Sequence, residues 1–258
     1  MAEFVLCVAM LVGATSFLAH RADIIRLPSG GHRDVPETKI LLAIAALSAL
    51  VLGAIMVLEA LDSIDETTNP FNAMRYGVFR AISLITTTGL DNAPATALPV
   101  PFVVVLGLIM IGGAAFSTSG GLKIFRISVL FAQAHRELKR LIHPHAVSRA
   151  RAAGKTFTLE TVKPVWSLFF VFLFTAGLIA LTLSLQGESY ETALMASLAA
   201  ISNAGPAMSM ALGEGGSVHS FATMTEASKL TLAAAMVLGR LEILAVLGLV
   251  GWWWHNRL

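Results

Sequence analysis

Five apolar runs in 258 residues, each long enough to span or nearly span a bilayer, restrict this chain to a membrane fold. They run from Phe4 to Ala19, Ile40 to Leu61, Val100 to Phe131 with an interruption, Val165 to Leu185 and Leu230 to Trp254. A soluble core of this size could not hide a chain that is 56% hydrophobic and only 13% charged. Glu3 stands where a signal peptide carries its basic residues, and His20-Arg21 follows the first run directly, so that run reads as a helix that stays. Cys7, the only cysteine, lies inside it, which excludes an intrachain disulfide.

The charges orient the runs. Arg136, Lys139, Arg140, Arg149, Arg151, Lys155 and Lys163 lie between the third and fourth runs against only Glu137 and Glu160, which marks that connection as cytoplasmic. The loop with Asp62, Asp65 and Glu66 is then outside, and the one with Arg21, Arg26, Arg33 and Lys39 inside. Met208 to Thr225, with Glu214 and no lysine or arginine, fits the outside, and His255-Asn256-Arg257 returns to the cytoplasm. The net charge of +2 follows from this distribution and carries no nucleic-acid signature.

This topology holds only if two further segments, Asn72 to Leu90 and Ser189 to Pro206, enter from outside and leave on the same side. Each is too short to cross and each closes on small residues and a glycine: Ile85-Thr86-Thr87-Thr88-Gly89-Leu90 and Ile201-Ser202-Asn203-Ala204-Gly205-Pro206, with the glycines 116 positions apart. Irregular backbone at membrane depth persists only where protein or water satisfies its N–H and C=O groups, so both exits are expected to face an aqueous passage. Small side chains let several strands converge there. Glycine permits dihedrals that aim carbonyls inward, and hydroxyl or amide groups tie the strands from behind. Without carboxylates such a ring favours a monovalent, weakly hydrated cation. The repeat unit is helix, re-entrant loop, helix, present once from Ile40 to Phe131 and again from Val165 to Trp254.

The third run contains Gly112-Gly113-Ala114-Ala115-Phe116-Ser117-Thr118-Ser119-Gly120-Gly121, where each glycine costs a helix about 1 kcal/mol relative to alanine. A break midway along a pore-lining helix is a candidate gate. Tight helix packing through small residues is the alternative. A phosphate-binding loop is a third, although Lys123 and Arg126 follow without the Gly-Lys-Ser/Thr ending. Beyond the break, Leu130, Phe131, Ala134, Leu138, Leu141 and Ile142 keep an apolar stripe for the membrane surface or a partner. His135, His143 and His145 lie nearby, but Pro144 spoils helical metal-ligand spacing and they read as solvated.

Arg240 sits deep in the last run. A guanidinium there costs roughly 3 kcal/mol on insertion scales, so it is expected to face the ion pathway or the glycine-rich loop, with a salt bridge between helices as the alternative. Glu242, two positions on, is on a different face, and Lys229 reads as a snorkelling lysine.

These residues together resemble the Trk/Ktr/HKT superfamily of potassium transporters, most closely the TrkH-like bacterial uptake subunits. Thr86 to Leu90 resembles the third filter loop of that family and Ser202 to Pro206 the fourth. Gly112 to Gly121 with Leu122-Lys123 resembles the intramembrane gating loop, and Leu238-Gly239-Arg240-Leu241-Glu242 the signature of the last helix. The resemblance implies an all-α inner-membrane protein of tandem helix–pore loop–helix repeats, two of the four needed for a complete pore. It implies K+ as the transported ion and no other metal or bound cofactor. It also implies a homodimer and a cytoplasmic TrkA-like regulatory subunit that alone binds nucleotide. Leu90, where phenylalanine is common, and Ala207, where a second glycine often follows the proline, depart from the family in the direction of looser K+ over Na+ selectivity.

On that pattern residues 1–27 form the truncated last helix of a second repeat, 28–143 the third repeat and 144–258 the fourth. The chain is therefore expected to be the C-terminal half or a fragment of a longer transporter, working with its N-terminal repeats; a degenerate product and a pore built from two copies remain open. A secondary transporter with broken helices, with Arg240 on an anionic substrate, lacks a reason for the recurring glycine. A scaffold would be indifferent to both glycines. No nucleophile–base pair or metal-ligand cluster supports an enzyme.

Overall fold

The structure is a computed structural model that describes residues 2–16, 36–62, 69–92, 100–143, 150–152, 155–157, 159–212, 221 and 223–241. The expectations placed on Arg21, Arg26, Arg33, Asp65, Glu66, His145, Arg149, Glu214, Glu242 and residues 255–257 lie outside these. Eight α-helices are described: α1 (Ala2–Ala14), α2 (Pro36–Asp62), α3 (Pro70–Ile85), α4 (Phe102–Ile111), α5 (Ile124–Ile142), α6 (Leu159–Leu185), α7 (Tyr190–Ile201) and α8 (Glu226–Arg240). Among the described residues, strands occur only as two short pairs. β1 (Val100–Pro101) lies parallel to β4 (Ala211–Leu212), and β2 (Ala150–Ala152) antiparallel to β3 (Lys155–Phe157).

Within α2 and α6, Glu37–Leu61 and Val162–Leu185 are long and apolar enough to cross a membrane. Only 28% and 22% of their most apolar windows are buried, so these are not the core helices of a soluble fold, which would be mostly enclosed. At about 1.5 Å per residue their length exceeds a roughly 30 Å hydrocarbon core. Each is followed by a short helix, α3 or α7, that begins on a side-chain cap. Asn69 accepts from the Phe71 amide at 3.1 Å with Pro70 opening α3, and Ser189 Oγ accepts from the Thr192 amide at 3.3 Å. Both caps satisfy amides that the first helical turn leaves open.

The core gathers around α7. From Met195 to Ile201 every residue of that helix is buried, packed among Leu52, Leu84, Ile109, Leu183, Met208 and Leu232. A helix with no polar stripe belongs in an interior, and α7 is short and apolar all round. Helices α2 and α3 cross where two glycines meet: a methyl group on Gly77 would come within 2.7 Å of the Gly53 Cα.

Two expectations need correction. The first apolar run was expected to be helical from Phe4 to Ala19, but α1 stops at Ala14, where the glycine-rich loop takes its last carbonyls and Thr15 Oγ1 donates back to the Val12 carbonyl at 2.6 Å. The last helix opens at Glu226, before Leu230, because Thr225 caps it by accepting from the Ser228 amide at 3.2 Å; the run beyond Leu241 lies outside the described residues. Lys229 pairs with Glu226 one turn back, at 2.9 Å, near the start of this helix.

In α5 the stripe is amphipathic and largely uncovered. Phe131, Leu138, Leu141 and Ile142 are exposed, while Val129 packs on Val162 and Val165 of α6.

Candidate functional site

Both short helices end in the same backbone turn. In the first, the Thr87 amide donates to the Leu84 carbonyl at 3.0 Å and the Thr88 amide to the Ser83 carbonyl at 2.9 Å. In the second, 116 residues on, the Asn203 amide donates to the Ala200 carbonyl at 3.0 Å and the Ala204 amide to the Ala199 carbonyl at 2.8 Å. This pair of bonds is the Schellman ending, which turns the chain through one left-handed residue. That residue is Thr87 at φ 55° and Asn203 at φ 54°. Glycine usually takes this position, and a β-branched threonine there is strained.

The side chains then hold the two turns differently. Thr86 Oγ1 donates to the Ile82 carbonyl at 2.8 Å and shares a hydrogen bond with Thr88 Oγ1 at 2.9 Å. Asn203 reaches outward, its amide nitrogen donating to the Met236 carbonyl of α8 at 3.3 Å. Ser202 Oγ is buried with no hydrogen-bond partner among the described residues. After the turns the backbones part. Gly89 has φ 74°, whereas Gly205 does not take a positive φ and opens a 3-10 turn, Gly205–Met210, with Pro206 in its first turn. The expected equivalence of the glycines therefore holds in position but not in conformation.

The two loops touch. A methyl group on Gly89 would stand 3.0 Å from both the Ala207 nitrogen and Pro206 Cδ, and 3.3 Å from the Ala204 carbonyl oxygen. Their exits run side by side as the β1–β4 pair, with Val100 opposite Ala211. Leu90 is exposed at the end of the first loop.

A salt bridge not anticipated from the sequence closes over the first loop. Arg80, 4% exposed in α3, donates from Nε and Nη2 to the two carboxylate oxygens of Asp91, at 2.8 and 2.9 Å. The signal was available: an arginine among the apolar residues Val78, Phe79, Ala81 and Ile82 of a half-length helix is costly, as at Arg240, and an aspartate follows eleven residues later.

Gly112 to Gly121 leave the helical path between α4 and α5 and form a closed loop. Its base is tied by the Leu122 amide donating to the Met110 carbonyl and the Ile124 amide to the Gly113 carbonyl, each at 2.9 Å. Gly112 at φ 68° and Gly121 at φ 73° make the corners. A methyl group on Gly112 would overlap the Gly120 carbonyl, and one on Gly113 would overlap Ser119 Oγ. Ser117 and Ser119 share a hydrogen bond across the loop at 2.6 Å.

Five neighbours hold this loop in place. The Ala114 amide donates to the Ala14 carbonyl at 2.9 Å, and Thr118 donates from Oγ1 to the Gly13 carbonyl, also at 2.9 Å. These are carbonyls that a helix C-terminus leaves without internal partners. Glu37 accepts from the Ala115 amide at 3.2 Å. The Gly120 amide donates to Thr87 Oγ1 at 2.7 Å, and Arg240 donates from Nη1 to the Thr118 carbonyl at 3.0 Å. A cavity of about 290 Å³ lies between the loop and the second half, lined by Thr118, Gly120, Lys123, Arg126, Asn203 and Arg240 among others. Of the residues singled out in the sequence, Thr118, Gly120, Asn203 and Arg240 line this space, while Thr87 and Ser202 contact Gly120.

Comparison with known proteins agrees with this architecture. A family model described as TrkH, cation transport protein, matches residues 1–250. The Trk system potassium uptake protein TrkI of Halomonas elongata is 31% identical over 242 residues, covering 93% of this chain and 47% of that protein. The Trk system potassium uptake protein TrkH of Vibrio parahaemolyticus is 32% identical over 247 residues, covering 93% and 48%. The crystal structure of the potassium transporter TrkH from Vibrio parahaemolyticus superposes with a TM-score of 0.76 at 30% identity, over 96% of this chain and 51% of that one. The chain spans about half the length of the curated relatives it matches.

Proposed function

Given that this chain belongs to the TrkH family of cation transport proteins, we propose that it supplies two quarters of a carbonyl-lined K+ path across the bacterial inner membrane. Residues 28–143 and 144–258 each act as a helix–pore loop–helix repeat, and residues 1–27 close a preceding one. The observation that carries this is the pair of Schellman endings 116 residues apart, on helices too short to cross, with the loops in contact at Gly89 and Ala207.

The path works by exchange of oxygen for oxygen. A K+ ion entering from outside gives up water for the carbonyls of Thr86 to Leu90 and Ser202 to Pro206, and K+, more weakly hydrated than a divalent ion, loses less in the exchange. Helix α3 is held to the chain leaving the first loop by the Arg80–Asp91 pair, so the first loop keeps its shape as ions pass. Below the loops, Gly112 to Gly121 occludes the path, and Arg240, fixed on the Thr118 carbonyl, adds a positive charge that raises the barrier. Release of this loop opens the path.

Two loops provide half of a fourfold ring, so conduction requires two further repeats of the same design. A homodimer with one path per protomer, a cytoplasmic TrkA-like subunit that binds the nucleotide, and a cytoplasmic C-terminus complete the proposal. Uptake in a potassium-auxotrophic host tests it: co-expression with the first two repeats of a relative restores growth on low K+ and 86Rb+ uptake, and Gly89→Ala removes both. Growth that is unchanged by the chain, or equally restored by Gly89→Ala, would refute it.

A further inference from the structure

We propose that the Gly120 amide and a permeating cation compete for one oxygen, Thr87 Oγ1, so that seating the glycine-rich loop disarms the innermost ligand of the path and ion occupancy in turn favours its release. This rests on the conduction path proposed above and adds to it a link between gate and ligand.

Thr87 is 5% exposed in the first loop, at the left-handed residue of its turn with φ 55°. The Gly120 amide donates to that hydroxyl at 2.7 Å, a short bond for a backbone nitrogen. A hydroxyl oxygen has two lone pairs and one hydrogen. The Gly120 N–H takes one of those lone pairs, and a cation on the other would face the positive end of the same bond, so each partner weakens the hold of the other.

Gly120 is seated against the second loop as well. A methyl group there would overlap the Ser202 carbonyl, so only a residue without a side chain can approach both turns at once. Gly120 thus touches the first Schellman ending at its left-handed residue, Thr87, and the second at Ser202, one position earlier in the turn. Two residues earlier the loop turns a carbonyl, that of Thr118, to Arg240. The seated loop therefore presents an amide hydrogen to the filter and a carbonyl to the arginine, an alternation that a small rotation of the loop would break at both ends.

Reciprocity follows from linkage. If the seated loop weakens cation binding at Thr87, cation binding weakens the seating by the same factor. The consequence is a gate that senses the ion it passes.

The test reads the loop directly. In a Cys7→Ser background, Ser119→Cys places a thiol on the loop at a site 9% exposed, next to Gly120. Its rate of modification by a charged thiol reagent is followed in inside-out vesicles from cells in which the chain supports 86Rb+ uptake. Replacing a large organic cation with K+ at constant ionic strength is expected to raise the rate about fivefold or more, the lower end of ordinary coupling. Thr87→Val, which keeps the shape and removes the oxygen, is expected to raise the rate in the organic cation and abolish the K+ effect, and Thr87→Ser to preserve it. A rate indifferent to K+ in the Ser119→Cys chain, or a K+ effect that survives Thr87→Val, overturns the proposal. The first comparison decides whether or not Thr87→Val folds. Vesicles that conduct but ignore K+ in this assay defeat the competition alone, whereas absence of 86Rb+ uptake in every form defeats the conduction path and the competition with it.

Discussion

Arg80 and Asp91 grip each other through two hydrogen bonds, at 2.8 and 2.9 Å, across the turn that contains Thr86 to Gly89. The positions 116 residues further on are Ala196 and Ala207, both fully buried, so the second loop is held by apolar packing where the first uses charge. A buried guanidinium that loses the carboxylate beside it is costly. Asp91→Asn is expected to destabilise the protein by about 3 kcal/mol. The double variant Arg80→Met with Asp91→Leu should lie closer to the wild type than either single change, as seen by thermal unfolding in detergent.

The two filter glycines should not respond alike. Gly89→Ala places a side chain at φ 74° and against the backbone of Ala207, so 86Rb+ uptake in the complementation assay is expected to disappear. Gly205→Ala meets only the side chains of Met236 and Phe221, at 3.4 Å, and should retain more than about half of the uptake, since such contacts relax by rotamer change.

Gly77→Ala is a test of packing alone. Its methyl group would press on Gly53 of the crossing helix and on the Leu52 carbonyl, neither of which can move without separating α2 from α3. A loss of about 1–3 kcal/mol is expected despite the better helix propensity of alanine, measured as the midpoint shift in chemical denaturation.

Arg240→Gln removes the charge and the Nη1 donor that holds the Thr118 carbonyl. Initial 86Rb+ uptake should rise several-fold, because the occluding loop loses one of its five anchors and the path loses a repulsive charge. A fall in uptake would assign Arg240 to assembly instead of gating.

Much of this arrangement was legible before any coordinates. The 116-residue offset, the half-length of α3 and α7, and the glycine break between α4 and α5 all follow from where small residues interrupt apolar runs. What escaped depended on partners distant in the chain. Beside the local bond of Thr15, the reason α1 stops at Ala14 lies in the amides of Ala114 and Thr118, a hundred residues away. Glu37 gave no hint that it would accept from Ala115. Gly205 matched Gly89 in register, but Pro206 commits the second loop to a 3-10 turn, and conformation after a shared turn is decided by the next residue.

Between the two halves, Thr86-Thr87-Thr88 has become Ser202-Asn203-Ala204, and no position keeps its residue. The backbone nevertheless pivots at Thr87 and Asn203 within one degree of φ. What is inherited here is a bend, written in whichever residues will tolerate it. A third or fourth copy of this element in any partner chain is therefore better sought by its shape than by its spelling.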